Sequence, residues 1–371
     1  MEELQMSLVV RTGPQEYECR VGVLDSLTDK LNVRGIQKVL IIHGTHSWEK
    51  AKNYLANLIE SEITLEFVAF NGECTYEEVD RIVELVSHSQ ADAVVGVGGG
   101  KLIDTVKYVA AKSPRIESII IPTLASNCAT WTPLSVMYTT EGVCLGFDLH
   151  TKQVTALLIE PNLLLDVPVD YFVAGIADTL AKWYESDVIL SKPEYQTNAL
   201  LLLSRAAALN CRDNIVNYGS QAVADIQSHS LTPAFIQVCE TIIAISGLVG
   251  GLGDGYARST VAHAIHDKLT AFPKTHTFLH GEKVGYGILV QLAIEEKWTE
   301  IDRLSAFYAS LNLPKTLADL NLSYLTDVQL SELAAEVSVD NILSQSEYAV
   351  TKEAIQTAMN SLENYLAVKV G

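Results

Sequence analysis

The stretch VVGVGGGKLIDTVKYVA (residues 94–110) constrains the fold more tightly than any other part of the chain. Its first half is continuously apolar, as expected of a strand buried on both faces. Its second half carries apolar residues at helical spacing. Gly98, Gly99 and Gly100 join the two halves with no side chain in the way. A buried strand running through glycines into a helix is the repeating unit of a parallel sheet covered by helices. The unit recurs along the first 160 or so residues. KVLIIHG (38–44) precedes the helical pattern HSWEKAKNYLANLIESE, and TLEFVAFNG (64–72) precedes TYEEVDRIVELVSHSQ, where Thr75 is the N-cap. SIIIPT (118–123) adds a strand that stops at Pro122. These repeats predict an N-terminal α/β domain with a Rossmann-like, doubly wound parallel sheet.

The pattern changes at TALLIEPNLLLDVPVD, which holds Pro161 and Pro168. Beyond it the strand signal nearly vanishes. Long helical patterns replace it, including YFVAGIADTLAKWYESDVILS, TNALLLLSRAAALNCRDNIVNYG and PAFIQVCETIIAISGLVGG. The expected organisation is an α/β nucleotide-binding domain over 1–164 and an all-α domain over 165–371. At 371 residues the chain is long enough for each to bury its own core. There is no internal repeat.

Composition excludes several classes of partner. A formal net charge of -19 is the wrong sign for nucleic acid or for an anionic membrane surface. The start of the chain lacks the basic and apolar regions of a secretory signal, and no run of about 18 apolar residues suggests a bilayer span. The six cysteines show no CxxC pairing, which fits reduced thiols in the cytoplasm.

The glycine loop is where a nucleotide belongs. Backbone N–H groups at Gly98, Gly99 and Gly100 can approach a pyrophosphate, and the helix that follows adds a favourable field. A tight turn with no ligand is the alternative reading. The end of the first strand holds Gly44 rather than the carboxylate that grips the ribose hydroxyls of NAD. His46, Ser47 or Lys50 would accept a 2′-phosphate there, so this position favours NADP over NAD.

Four of the nine histidines, His263, His266, His276 and His280, fall within VAHAIHDKLTAFPKTHTFLHGEKVGYG (261–287). His263 and His266 share a helix face, and Gly281 permits a close approach just after His280. Asp178, in VAGIADTLAKWYE, is flanked by apolar residues, and a carboxylate there needs a counter-charge. One carboxylate with two imidazoles suits Zn²⁺ or Fe²⁺. Any single one of these residues could equally be structural.

Taken in order, GGGKLIDTVK, PTLAS, GIADTLAKW, HAIH and HGEKVGYG resemble the iron-containing (group III) alcohol dehydrogenases over essentially the whole chain, and most of all their glycerol dehydrogenase-like branch. The resemblance implies the two-domain fold that this family shares with dehydroquinate synthase. It implies one divalent ion on Asp178, His263 and His280. His266 would then be a catalytic proton relay or a support behind the ligands, with His276 outside. The nucleotide, NADP or NAD, would lie along Gly44, Gly98, Gly99, Gly100, Lys101, Leu102 and Asp104. It would continue along Thr123, Leu124, Ala125 and Ser126, with Thr132, Leu134 and Tyr138 toward the nicotinamide. Members of the family often assemble through N-terminal strands, so a homo-oligomer is expected.

One departure bears on the substrate. Where the glycerol enzymes carry an Asp after PT-x-AS, this chain has Cys128, with Trp131 close by. Replacing a carboxylate by a thiol removes a hydroxyl acceptor and a repulsion against anions. NCATWTPLSV is similar to the hydroxycarboxylate dehydrogenase subgroup, which reduces 2-oxo acids with NADPH. Arg258 and Lys182 are candidates to pair with a substrate carboxylate, or are ordinary surface charges. The expected activity is therefore 2-oxo acid/2-hydroxy acid interconversion, with NAD-linked glycerol oxidation as the alternative. A dehydroquinate synthase-like lyase and a silent nucleotide-binding homologue are less well supported. The first would need more cations around Asp178–Lys283, and the second would not need the metal residues.

Overall fold

A computed structural model describes residues 8–257, 259–346 and 348–370. Its strands are β1 (Glu16–Cys19), β2 (Lys38–His43), β3 (Thr64–Ala69), β4 (Ala93–Gly98), β5 (Glu117–Pro122), β6 (Leu134–Tyr138), β7 (Cys144–Leu149) and β8 (Ala156–Ile159). Six of them form one sheet in the order β1-β8-β5-β4-β2-β3, and every neighbouring pair is parallel. The apolar runs explain the middle of this sheet. Every residue of β4 is buried, and so are Val39–Ile42 of β2 and Ser118–Pro122 of β5, because helices cover both faces. One face contributes Val39, Ile41, Val95, Val97, Ile119, Ile121 and Leu158 to a continuous core.

β8 was not expected from the sequence, and β1 only as one of the N-terminal strands that the resemblance implies, where it pairs with β8 of its own chain. β8 is the fully buried tetrad Ala156–Ile159, whose apolar run is cut short by Pro161. β1 is half-buried along its length and carries two glutamates, so it shows no apolar alternation. β6 and β7 form a separate antiparallel ribbon.

The connections fix where a ligand can bind. The chain leaves β2 for β3 on one side and β4 for β5 on the other, so the direction of winding reverses between β2 and β4. Crevices at the carboxyl ends of such strands receive ligands in open α/β sheets. Here those ends carry Gly44 and Gly98–Gly100. Ser47 holds the two ends together, its Oγ donating to Val97 O at 2.8 Å.

No strand follows β8 among the described residues. The chain divides into two compact units, Arg11–Pro168 with Asp225–Gly247, and Met1–Val10 with Val169–Ala224 and Leu248–Gly371. The first unit contains the sheet. Asp225–Gly247, helical in sequence, packs with it, and Glu240 accepts the Tyr17 hydroxyl at 2.9 Å. The second unit is helical. Its central helix, Val169–Leu190, is apolar nearly all round and buries Ala174, Ala177, Asp178, Ala181 and Glu185 among others.

One expectation needs correction. The segment Pro233–Ala257 is long and apolar enough to cross a membrane, with a mean hydropathy of 1.7. Its burial is what fits a core helix, 61% of the window lying inside the protein, and a π turn at Thr241–Ile245 interrupts it.

Candidate metal centre and nucleotide surface

Three helices of the second unit bring Asp178, His263 and His280 together. Asp178 comes from Val169–Leu190, His263 from Val261–Leu269 and His280 from the first turn of His280–Ile294. Glycines set how closely the helices approach. A Cβ on Gly281 would lie 1.8 Å from Ala174 O, so only glycine lets the His280 turn rest on the helix one turn before Asp178. Glu282 fixes that turn by accepting Leu279 N–H at 2.6 Å.

His263 Nε2 and His280 Nε2 each stand 3.3 Å from Asp178 Oδ1. Donors about 2.0–2.2 Å from a tetrahedral ion are roughly 3.3–3.5 Å apart, so these spacings match a shared cation. Asp178 is 4% exposed, and its Oδ1 accepts no hydrogen bond among the described residues. A buried carboxylate oxygen left without a donor is costly unless something positive meets it. The three side chains thus fit a divalent ion on two counts, an unsatisfied anionic oxygen and a donor set typical of zinc or ferrous iron.

The electrostatics agree. Burial alone would raise the Asp178 carboxyl, but the His263 and His280 rings and the Lys182 ammonium hold it well below the usual carboxylate range. Burial alone would lower His263, but the Glu185 charge and the close approach of the Asp178 and Glu185 carboxylates raise it to about 10. His266 goes the other way, pushed by burial and then by His280 down to about 3. Its Nδ1 meets Asp267 Oδ1 at 2.8 Å and its Nε2 meets His280 Nδ1 at 3.0 Å. His276 is exposed, with its Nε2 3.0 Å from Thr270 O. Glu185, which the sequence reading did not single out, contacts the Nδ1 of His263 at 2.6 Å. Its position seven residues after Asp178, two helical turns on, was the available signal.

In the first unit, Gly98 ends β4, Gly99 is the N-cap of Gly100–Lys112, and no side chain caps that helix. A Cβ on Gly99 would lie 2.8 Å from Leu124 Cδ1, so a side chain there would displace the Leu124 tip. Uncapped N–H groups at the start of a helix at the carboxyl edge of a parallel sheet are able to receive an anion. Thr123, Leu124 and Ser126 follow β5, half-buried beside this loop, and Thr123 N–H donates to Gly98 O at 3.1 Å. Lys101 pairs with Glu73 at 2.6 Å and sits 4.7 Å above the Tyr138 ring. Leu102 and Asp104 are buried, and Asp104 is engaged by Lys107 at 2.7 Å and by Val136 N–H at 3.0 Å.

A sequence model described as iron-containing alcohol dehydrogenase matches residues 14–159. Hydroxycarboxylate dehydrogenase A of Escherichia coli is 34% identical over 361 residues, 96% of this chain and 98% of that protein. Glycerol dehydrogenase of Thermotoga maritima is 30% identical over 95% of this chain and 96% of that one. The crystal structure of a probable glycerol dehydrogenase from Sinorhizobium meliloti superposes with a TM-score of 0.83 at 28% identity, covering 97% of this chain and 99% of that one. The chain belongs to the iron-containing alcohol dehydrogenase family. It is an oxidoreductase, and its sheet-plus-helices architecture is that of its relatives.

The remaining expected residues lie elsewhere in the two units. Cys128 is half-buried in the loop after β5, and its carbonyl accepts Trp131 N–H at 2.9 Å and Thr132 N–H at 3.2 Å. Lys107, 4% exposed, clasps the same loop, donating to Ala129 O at 2.5 Å, to Thr132 O at 3.0 Å and to Leu134 O. Trp131, expected to wall a substrate pocket, is committed to packing instead. Its Nε1–H donates to Thr12 O at 2.8 Å, its ring meets Tyr17 edge-on, and a Cβ on Gly13 or Gly247 would lie 2.4 Å from it. Lys182 is half-buried one turn after Asp178. Arg258 lies outside the described residues.

Proposed function

We propose that this chain interconverts a small 2-hydroxy acid and its 2-oxo acid, with NADP(H) as hydride partner and one Zn²⁺ or Fe²⁺ held by Asp178, His263 and His280. When bound, the ion polarises a hydroxyl or carbonyl oxygen as a Lewis acid, and the nicotinamide gives or takes the hydride. Residues 1–164 would hold the nucleotide through Gly44, Gly98–Leu102, Thr123–Ser126, Thr132, Leu134 and Tyr138. Residues 165–371 would supply the metal ligands. Asp104 enters this reading only through the Lys107 clasp that shapes the loop after β5.

The observation that carries the substrate class is Cys128. A thiol in the loop where glycerol enzymes place a carboxylate takes away one repulsion against a substrate carboxylate and one acceptor for a second hydroxyl. The 34% identity to a protein named hydroxycarboxylate dehydrogenase A supports the same class. Lys182, whose charge helps lower Asp178, supports an anion near the triad. Gly44 at the end of β2, followed by an exposed His46 and Lys50, supports a nucleotide carrying a 2′-phosphate. His266 is assigned to the catalytic machinery, where its neutral ring orients His280 and relays protons toward the half-exposed Asp267.

NAD-linked glycerol oxidation is the second reading, favoured by the 30% identity to a glycerol dehydrogenase. A panel of 2-oxo acids, ketones and glycerol, assayed with NADPH and with NADH after Zn²⁺ or Fe²⁺ loading, separates the two. The expected result is 2-oxo acid reduction with NADPH, lost together with metal content in Asp178→Ala. Turnover of glycerol with NAD and of no 2-oxo acid would sink the assignment in favour of the second reading.

A further inference from the structure

Glu185 is 2% exposed on the same helix as Asp178, and three N–H groups converge on it. Its Oε1 accepts from Thr260 N–H at 2.7 Å and from His263 N–H at 3.0 Å, while Oε2 lies 2.6 Å from His263 Nδ1. The helix Val261–Leu269 has no side-chain cap of its own at Thr260. Glu185 therefore caps it from a neighbouring helix and grips the first imidazole it carries.

A carboxylate only accepts hydrogen bonds, so the ring nitrogen facing it is a donor. That fixes Nδ1 as the protonated nitrogen and leaves Nε2, 3.3 Å from Asp178 Oδ1, as the atom free to bind an ion. We propose that Glu185 is a positioning residue for the metal centre, holding His263 in the Nδ1–H form with its Nε2 lone pair turned toward Asp178. The proposal rests on the reading of Asp178, His263 and His280 as metal ligands. It also ties the start of one helix to the affinity of the site, because the same carboxylate makes both contacts. Carboxylates behind metal-bound imidazoles typically change affinity by about 10–100-fold.

Glu185→Gln isolates the tautomer from the cap. The amide oxygen keeps the two backbone N–H bonds, whereas the amide nitrogen is a donor and favours the Nε2–H form of His263. The test is Zn²⁺ titration of chelator-stripped protein against a competing chromophoric chelator, for the wild type, Glu185→Gln and Asp178→Ala. Thermal unfolding in EDTA is recorded for each. The expected result is Zn²⁺ affinity about 10–100-fold weaker in Glu185→Gln, with its Tm in EDTA close to that of the wild type. Unweakened Zn²⁺ binding in Glu185→Gln, alongside lost binding in Asp178→Ala, overturns the role of Glu185 and leaves the ligand reading standing. Unweakened binding in both variants overturns the two together. Should Glu185→Gln not fold, ¹⁵N-histidine NMR of Zn²⁺-loaded wild type decides. A protected His263 Nδ1 proton supports the proposal, and its absence overturns it.

Discussion

At position 178 a carboxylate sits among Ile176, Ala177, Leu180 and Ala181, and that contradiction is legible in the sequence alone. Its resolution needs two rings from elsewhere in the chain, and the histidine-rich segment is the only dense source of them. Position 128 works in the opposite sense, through a charge that is missing. Cys128→Asp would restore a carboxylate to the loop after β5. The variant should lose 2-oxo acid reduction by about tenfold in kcat/KM, since a like charge costs on the order of 1–2 kcal/mol at partly exposed sites, and should gain activity on glycerol. Parallel kcat/KM values for both substrates check this, and an unchanged ratio would remove Cys128 from the specificity argument. Glu185 and Trp131 mark where residue-level reading stops. The two-turn spacing of Asp178 and Glu185 was visible, but that Glu185 faces Thr260 was not. Trp131 has the composition of a pocket wall, yet Thr12 and the bare backbones of Gly13 and Gly247 claim it.

Elements were legible by the length of their strand pattern rather than by burial alone, since β3 was read although mostly exposed and β8 was missed although fully buried. β2, β4 and β5 announce themselves as apolar runs, whereas β1 is a half-polar edge strand and β8 is four residues beside a proline. The β6–β7 ribbon has one buried side at most. It is held by polar contacts that no periodicity reports, with His150 Nε2 2.8 Å from Ser135 Oγ and the His150 ring against Tyr108. Burial, and then the Lys107 ammonium, pushes His150 down to about 4, with Asp148 opposing. Its unfolded value is near 6.5, so the unfolded chain binds the proton first as pH falls. Stability is therefore retained above about 6.5 and lost between there and about 4, by up to roughly 2–3 kcal/mol. Denaturant midpoints at pH 7 and pH 4.5 should fall less in His150→Gln than in the wild type, and equal falls would exclude this ring as the cause. Helix contacts give a sharper case. Gly281→Ala places a methyl 1.8 Å from Ala174 O, so the first turn of His280–Ile294 must shift away from Val169–Leu190. Loss of about 2 kcal/mol or more and a Zn²⁺ affinity at least tenfold weaker are expected from such overpacking at a ligand-bearing turn. Isothermal titration with Zn²⁺ on the folded variant measures it, and wild-type affinity would show that the contact does not position His280.

At the scale of the molecule, the metal residues are spread over more than one hundred positions, from Asp178 to His280, on three helices of one unit. No stretch of unfolded chain presents the triad, so an ion held by it binds the folded unit and stabilises it by mass action. Free Zn²⁺ at 100 times its dissociation constant would add about 2.7 kcal/mol. For a unit of this size that corresponds to roughly 5–10 °C in Tm. The glycine cradle belongs to the other unit, so a nucleotide should stabilise through different residues. Scanning calorimetry with EDTA, with Zn²⁺ and with NADPH separates the contributions. Zn²⁺ should raise the transition of the wild type and leave Asp178→Ala where EDTA leaves it, while NADPH should still stabilise that variant. A Zn²⁺-induced shift of equal size in Asp178→Ala would place the ion elsewhere on a protein with a net charge of -19, which offers many weak carboxylate sites. That control makes the result informative, because an acidic surface binds divalent ions without help from any histidine.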